Sequence, residues 1–220
     1  DLYQNRANWQ KERVKPLRLP AMIARELKRL ALTEFVLDTK DTELQLPLQH
    51  TKQMLRQKLD YGIASGGLLL KPYYHNGLQI DFVAQNQYLP VRYTNDACTA
   101  VICPEELVLE KRCYTRLEFH QFDERVHTHT IQQRCFRSPT PGTLGLECDL
   151  TEVPQWANLL PQKTYYDVSQ PLFAMFQMPE ANNIDPTSPL GVSAYADAVD
   201  LIHDADVPVS YTHLRAHETK

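Results

Sequence analysis

The chain has 220 residues, a formal net charge of −4 and 43% hydrophobic residues, the balance of a globular protein with one large domain or two small ones. No apolar run is long enough to span a bilayer, and residues 1–16 lack the apolar core of a signal peptide. The five cysteines, Cys98, Cys103, Cys113, Cys135 and Cys148, are odd in number and irregular in spacing. They read as reduced thiols on half-buried strands of an intracellular protein rather than as a disulfide framework.

Residues 1–30 carry eight Lys/Arg against three Asp/Glu, and residues 147–206 carry ten Asp/Glu against Lys163 alone. Such polarity suits a subunit whose basic end meets the acidic end of a neighbour, as well as a merely solvated surface. The first residue is Asp1 and not Met, which reads as a fragment or a processed product.

In chain order, residues 17–34 are predicted to be helical, with Pro20 in the first turn, where its missing N–H costs nothing. Met22, Ile23, Leu27, Leu30 and Ala31 fall near one stripe and are expected to pack on the core, while Arg25, Lys28 and Arg29 take other faces. A second helix is predicted over 46–63 with the stripe Leu48, Leu55, Leu59 and Ile63, ending at Ser65-Gly66-Gly67.

The period then changes. Residues 68–74, 78–84, 88–93 and 97–103 read as short strands separated by His75-Asn76-Gly77, Gln85-Asn86-Gln87 and Thr94-Asn95-Asp96. Residues 112–122 and 126–136 form the clearest pair, joined by Asp123-Glu124-Arg125. Their mixed alternation predicts a sheet exposed on one face. Residues 138–145 read as a loop, 154–160 as a short helical turn and 172–178 as an apolar strand. The fold class expected is α+β, with peripheral helices on a mostly antiparallel sheet: helical over 1–65, strand-rich over 66–178, then a turn and helix over 179–206.

In that last segment Asn182-Asn183 and Asp185-Pro186 favour a side-chain-bonded turn. Ser188 is placed as an N-cap and Pro189 at the first position of a helix running to Asp206. Its inner face is expected to be Leu190, Ala194, Ala198, Leu201 and Ala205, with Tyr195 and Ile202 alongside. Asp197, Asp200 and Asp204 line the other side and read as a solvated acidic face rather than a cation site.

The run Asn182, Asn183, Ile184, Asp185, Ser188, Pro189, Gly191, Ser193, Ala198 and Asp200, entered from an apolar strand, resembles a segment of the portal proteins of long-tailed phages, especially those infecting Gram-positive bacteria. Other pieces fit in the same order: Tyr3 and Trp9 near the start, LPAMIARELKRLALTE as an early helix, YGIASGGLLLKPYY as a helix-to-strand junction, and the strands that follow. The resemblance spans most of residues 1–206. It implies a virion component assembled in the bacterial cytoplasm, a homo-oligomeric, dodecameric ring at one capsid vertex. Terminase drives DNA through such a ring, scaffold and capsid proteins surround it, and the head–tail connector attaches to it. It also implies no catalytic residue, no cofactor and no metal. The matched part is similar to the outer wing. The clip, stem helix and channel loop, which follow the matched segment in that family and meet DNA and terminase, are absent from this chain.

Residues 207–220, VPVSYTHLRAHETK, depart from that pattern and resemble translated sequencing-adapter read-through. Pro208 stops the helix, and His213 and His217 are read as accidental. This tail is expected to pack on nothing. Two rival readings remain: a nucleic-acid-binding module using the basic N-terminal helices, and a zinc-dependent protein using His127, His129 and the cysteines. Neither a phosphate-cradling G-x-x-x-x-G-K-S/T loop nor a G-x-S-x-G elbow occurs in the sequence.

Overall fold

The computed structural model describes residues 2–10, 14, 16–74, 77–94 and 97–207. His75, Asn76, Asn95 and Asp96 of the expected turns, and residues 208–220 with His213 and His217, lie outside the described residues. The fold is α+β. Its elements are α1 (Leu19–Leu32), α2 (Thr42–Ser65), β1 (Gly67–Tyr74), β2 (Leu78–Ala84), β3 (Leu89–Tyr93), β4 (Cys98–Leu109), β5 (Arg112–Asp123), β6 (Thr128–Ser138), β7 (Leu146–Cys148), β8 (Gln162–Tyr165) and β9 (Ala174–Gln177). A helix over 199–207, α3, closes the described chain. One sheet has the order β2-β1-β9; the other has the order β3-β4-β5-β6-β7, with β8 also pairing β6. No helix among the described residues is long and apolar enough to cross a membrane.

The chain divides into two compact units, the first made of residues 1–68, 73–82 and 176–220 and the second of residues 69–72 and 83–175. In the first unit α2 starts earlier than the apolar stripe predicts. The Asp41 side chain accepts the Glu43 N–H at 2.9 Å and caps the helix at Thr42, so that Pro47 lies inside it. Ala24 of α1, fully buried, meets Leu59 and Ile63 of α2, with Leu55, Phe176, Met178 and Ala194 around them. Lys28 and Asp60 bridge the two helices at 3.1 Å.

The expected stripe of α1 is therefore corrected. Met22 is 53% exposed and Leu30 62%, whereas Pro20 and Ala24, one turn apart, form the buried edge. The reason is close approach: a small residue at the crossing lets two helices come together, so the larger apolar side chains flank the contact rather than fill it.

In the second unit β4, β5 and β6 form a continuous antiparallel meander with an unbroken register from Ala100↔Gln121 to Leu109↔Arg112 and from Cys113↔Ser138 to Asp123↔Thr128. Strand β4 continues well beyond the expected end at Cys103. Pro104 is tolerated because β3 pairs only as far as Leu89↔Ile102, so past that point one edge of β4 has no β3 partner. The β4–β5 turn is made by Glu110 and Lys111, both at positive φ (48° and 67°), a primed hairpin turn without its usual Asn-Gly signature. The short strands β7 and β8 escape a reading based on alternation over longer runs. Burial alternates along β5 from Glu118 to Asp123, whereas the buried residues of β6 are His129, Gln133, Cys135 and Ser138. Tyr114, Cys135, Val153 and Trp156 form the apolar core of this unit, with Leu107, Leu109, Leu150 and Leu159 packed against it.

Candidate functional site

Two groups of residues merit attention. The first is the 179–207 segment, where the expected helix from Pro189 is corrected. The chain runs irregularly to Tyr195, makes a 3-10 turn at Ala196–Ala198 and becomes α-helical only over 199–207. Side chain-to-backbone bonds take the place of a helical ladder. Asn182 Oδ1 accepts the N–H groups of Ile184 (3.1 Å) and Asp185 (2.8 Å), and its Nδ2 donates to the Leu190 carbonyl at 2.9 Å. Asp185 accepts from the Thr187 N–H and hydroxyl, and these bonds hold its carboxyl below the usual range. Ser188 Oγ accepts the Leu190 N–H at 3.2 Å, so it does cap a local turn, though not a helix.

This loop brings Gly191 against Gly66, the left-handed cap of α2 (φ +97°). A Cβ on Gly66 would lie 2.3 Å from the Gly191 carbonyl oxygen, and one on Gly191 would lie 2.2 Å from that of Gly66. The Met178 N–H donates to the Gly66 carbonyl at 2.9 Å and the Ala194 N–H to that of Ile63 at 3.1 Å, completing the crossing. The expected inner face is redistributed accordingly: Val192, Tyr195 and Ile202 are buried, while Leu201 is 71% exposed.

Asp206, expected only as the end of the helix, is also buried. Its carboxylate accepts from Trp9 Nε1 (3.1 Å), Gln10 Nε2 (2.7 Å) and the Leu17 N–H (2.8 Å). Trp9 in turn packs edge-on against His203 at 5.0 Å. Asp197, Asp200 and Asp204 are exposed, as the pattern predicts.

The second group is a polar stripe on the covered face of the second unit. It arises from period-2 spacing, Arg116-x-Glu118-x-His120 on β5, with Gln133 opposite Glu118 in the β5–β6 register. Glu118 Oε1 accepts from Lys71 Nζ at 2.6 Å and from His120 Nε2 at 2.7 Å. Glu118 Oε2 accepts from Arg116 Nη1 at 2.9 Å and from Gln133 Nε2 at 3.2 Å. His120 Nδ1 lies 3.1 Å from His129 Nε2, and His129 Nδ1 accepts the Leu172 N–H at 3.3 Å.

Because a backbone N–H can only donate, that last bond orients the chain of protons. His129 carries its proton on Nε2 and donates to His120 Nδ1, and His120 donates from Nε2 to Glu118. Burial would raise the Glu118 carboxyl, but the His120 hydrogen bond and the Lys71 charge outweigh it and hold the group far below the carboxylate range. Burial first, and the neighbouring His120 second, lower His129 to about 4. Both rings are essentially inaccessible, with Phe173 packed edge-on against each.

The zinc reading depended on His127 and His129 sharing a face, and they do not. His127 is an exposed turn residue at φ +51°, while His129 is fully buried and engaged with His120. No group of three or more His, Cys, Asp or Glu is placed to hold a metal ion among the described residues. On α1, Lys28 pairs with Asp60 and Arg29 with Glu26 (2.9 Å), which reduces the positive charge offered to nucleic acid. The polar stripe escaped the sequence reading, which followed β-branched and aromatic residues along β5; the R-x-E-x-H alternation was the available signal. No protein-family model and no curated protein matches this chain.

The relay has a pH signature. A histidine whose folded pKa is about 4, below its ordinary 6.5, leaves the unfolded chain binding more protons between those values. Stability is then full above about pH 6.5 and falls by about 3 kcal/mol on the way down to about pH 4. Glu118 acts in the same direction at lower pH, its contribution disappearing as pH falls below the ordinary carboxylate range. Urea melts across this range are expected to show the loss, and His129→Gln is expected to flatten the part above pH 4. A wild-type midpoint that stays constant between about pH 6.5 and pH 4 contradicts the arrangement.

Proposed function

We propose that the chain is the wing-like region of a phage portal subunit, with an architectural and not a catalytic role, assembled in the bacterial cytoplasm and carried in the virion. The observation that supports this reading best is how the 182–193 run uses its polar residues. Asn182, Asp185 and Ser188 bond to nearby backbone, and Gly191 exists to let two backbones cross, so the unusual composition is spent on shape. The buried stripe is equally self-satisfied, its carboxylate surrounded by its own cations and histidine.

Met22 and Leu30, standing exposed on α1, and the acidic row Asp197, Asp200 and Asp204 suit a surface that neighbouring copies cover. On this reading the partners are further copies of the chain, capsid and scaffold proteins, terminase and head–tail connector proteins, with DNA met through regions beyond Asp206. The genomic neighbourhood tests it. A terminase large-subunit gene just upstream, and a reading frame continuing past Asp206 into a long helix, are the expected results. A continuation into an enzyme domain, with no packaging genes nearby, overturns the reading.

A further inference from the structure

Cys135 of β6 and Cys148 of β7 are Cα partners across an antiparallel pair, and their Sγ atoms lie 3.3 Å apart. Only a small side-chain rotation separates that spacing from the ~2.05 Å of a disulfide. Cys135 is 1% exposed, whereas Cys148 is half-buried on a three-residue edge strand. Both cysteines line a cleft of about 500 Å³ whose wall also includes Glu147, Asp149, Leu159 and Gln162. The other thiols contrast with this: Cys103 and Cys113 are buried, and the Cys98 thiol donates to the Ala100 carbonyl at 3.3 Å.

We propose that Cys135 and Cys148 form a reversible dithiol–disulfide modification site that exchanges with low-molecular-weight disulfides entering the cleft. The cleft presents Cys148 first. Its thiolate attacks one sulfur of the incoming disulfide, that S–S bond breaks, and the released thiolate takes up a proton. Cys135 then attacks Cys148 Sγ, loses its proton, and expels the second small thiol. Two protein thiols are oxidised and one small disulfide is reduced to two thiols, with no further reactant. Burial, followed by the hydrogen bond and charge of Cys148, pushes the Cys135 thiol up to about 12, so Cys148 and not Cys135 makes the first attack; once Cys148 is in the mixed disulfide its charge no longer opposes ionisation of Cys135. The bond formed staples β7 to β6 and closes the 135–148 loop around Gly142 and Gly145. This inference is independent of the assembly reading.

The test incubates the folded chain with oxidised glutathione and follows intact mass, free thiols and a peptide map. Wild type is expected to lose about 2 Da. Its five free cysteines fall to three, with one linked peptide pair joining Cys135 to Cys148. Cys148→Ser, at the half-buried edge position, is expected to abolish the change. Cys135→Ser is expected to stop at a mixed disulfide, gaining the mass of one tripeptide. The oxidised wild type is expected to melt at higher urea and to return on reduction. The proposal is overturned if the mapped link joins other cysteines, if Cys148→Ser still loses two thiols, or if the folded wild type forms no link under conditions that oxidise Cys98.

Discussion

Gly191→Ala is expected to destabilise the first unit by about 2–4 kcal/mol, although it adds a single methyl group. The new Cβ would fall 2.2 Å from the Gly66 carbonyl oxygen, a backbone atom that cannot swing aside, so either the loop or the end of α2 must move. Overpacking of this kind costs about 1–3 kcal/mol, and displacing the loop also loosens the Met178-to-Gly66 bond (2.9 Å) beside it. Gly66→Ala is expected to cost more, about 3–5 kcal/mol, because a left-handed alanine adds its own strain to the same overlap. Gly142→Ala separates the two effects. Gly142 also has positive φ (+70°), but nothing lies within 4 Å of its Cβ position, so only the conformational cost remains, about 1 kcal/mol. Urea denaturation of the three variants checks the order Gly66, Gly191, Gly142. A Gly191→Ala protein as stable as wild type means that the two backbones do not cross as described.

The second large effect centres on Glu118. Glu118→Ala removes the shared acceptor of Lys71, Arg116, His120 and Gln133 from a site where the carboxylate is about nine-tenths buried. Removing one member of a buried ionic group costs about 3–5 kcal/mol, mainly because its counter-charges stay behind. Arg116 keeps Glu105, to which its Nε donates at 3.0 Å, whereas Lys71, whose side chain is only 12% exposed, loses the Glu118 oxygen that it reaches at 2.6 Å. The double variant Lys71→Met/Glu118→Ala is therefore expected to be more stable than Glu118→Ala alone. The coupling of about 1–3 kcal/mol would be read from a double-mutant cycle in urea. Additive losses would mean that the two groups do not share a buried site.

What the sequence makes legible depends on whether a local signal decides the outcome. Helix α2 ends at Gly66 because only a residue without Cβ takes its φ of +97° at little cost, and Ser65-Gly66-Gly67 announces that stop. The β5–β6 hairpin follows from two long runs rich in β-branched and aromatic residues. The buried side of α1 was hidden because the interior chose Ala24 over the larger Met22 and Leu30, a choice made by the partner helix and not by hydropathy.

The helix expected from Pro189 failed for a related reason. Its periodicity was real, but Asn182 and Ser188 had nearer backbone partners, and Gly191 was needed at a crossing with a residue 125 positions earlier. Asp206 was unreadable as a buried group because its donors, Trp9, Gln10 and Leu17, sit at the other end of the chain. The polar stripe lay in plain alternation along β5. Its role becomes evident only when the β5–β6 register sets Glu118 opposite Gln133 and the β1 residue Lys71 arrives from elsewhere in the chain.

The central proposal is that the chain serves an assembly through its shape. The most direct measurement is mass photometry, with negative-stain microscopy, of the polypeptide expressed from its natural reading frame through and beyond Asp206. Closed rings, dodecameric by the resemblance, that dissociate or fail to form in the Gly191→Ala variant are the predicted result. A polypeptide that stays monomeric at micromolar concentration, and whose Gly191→Ala variant behaves identically, contradicts the account.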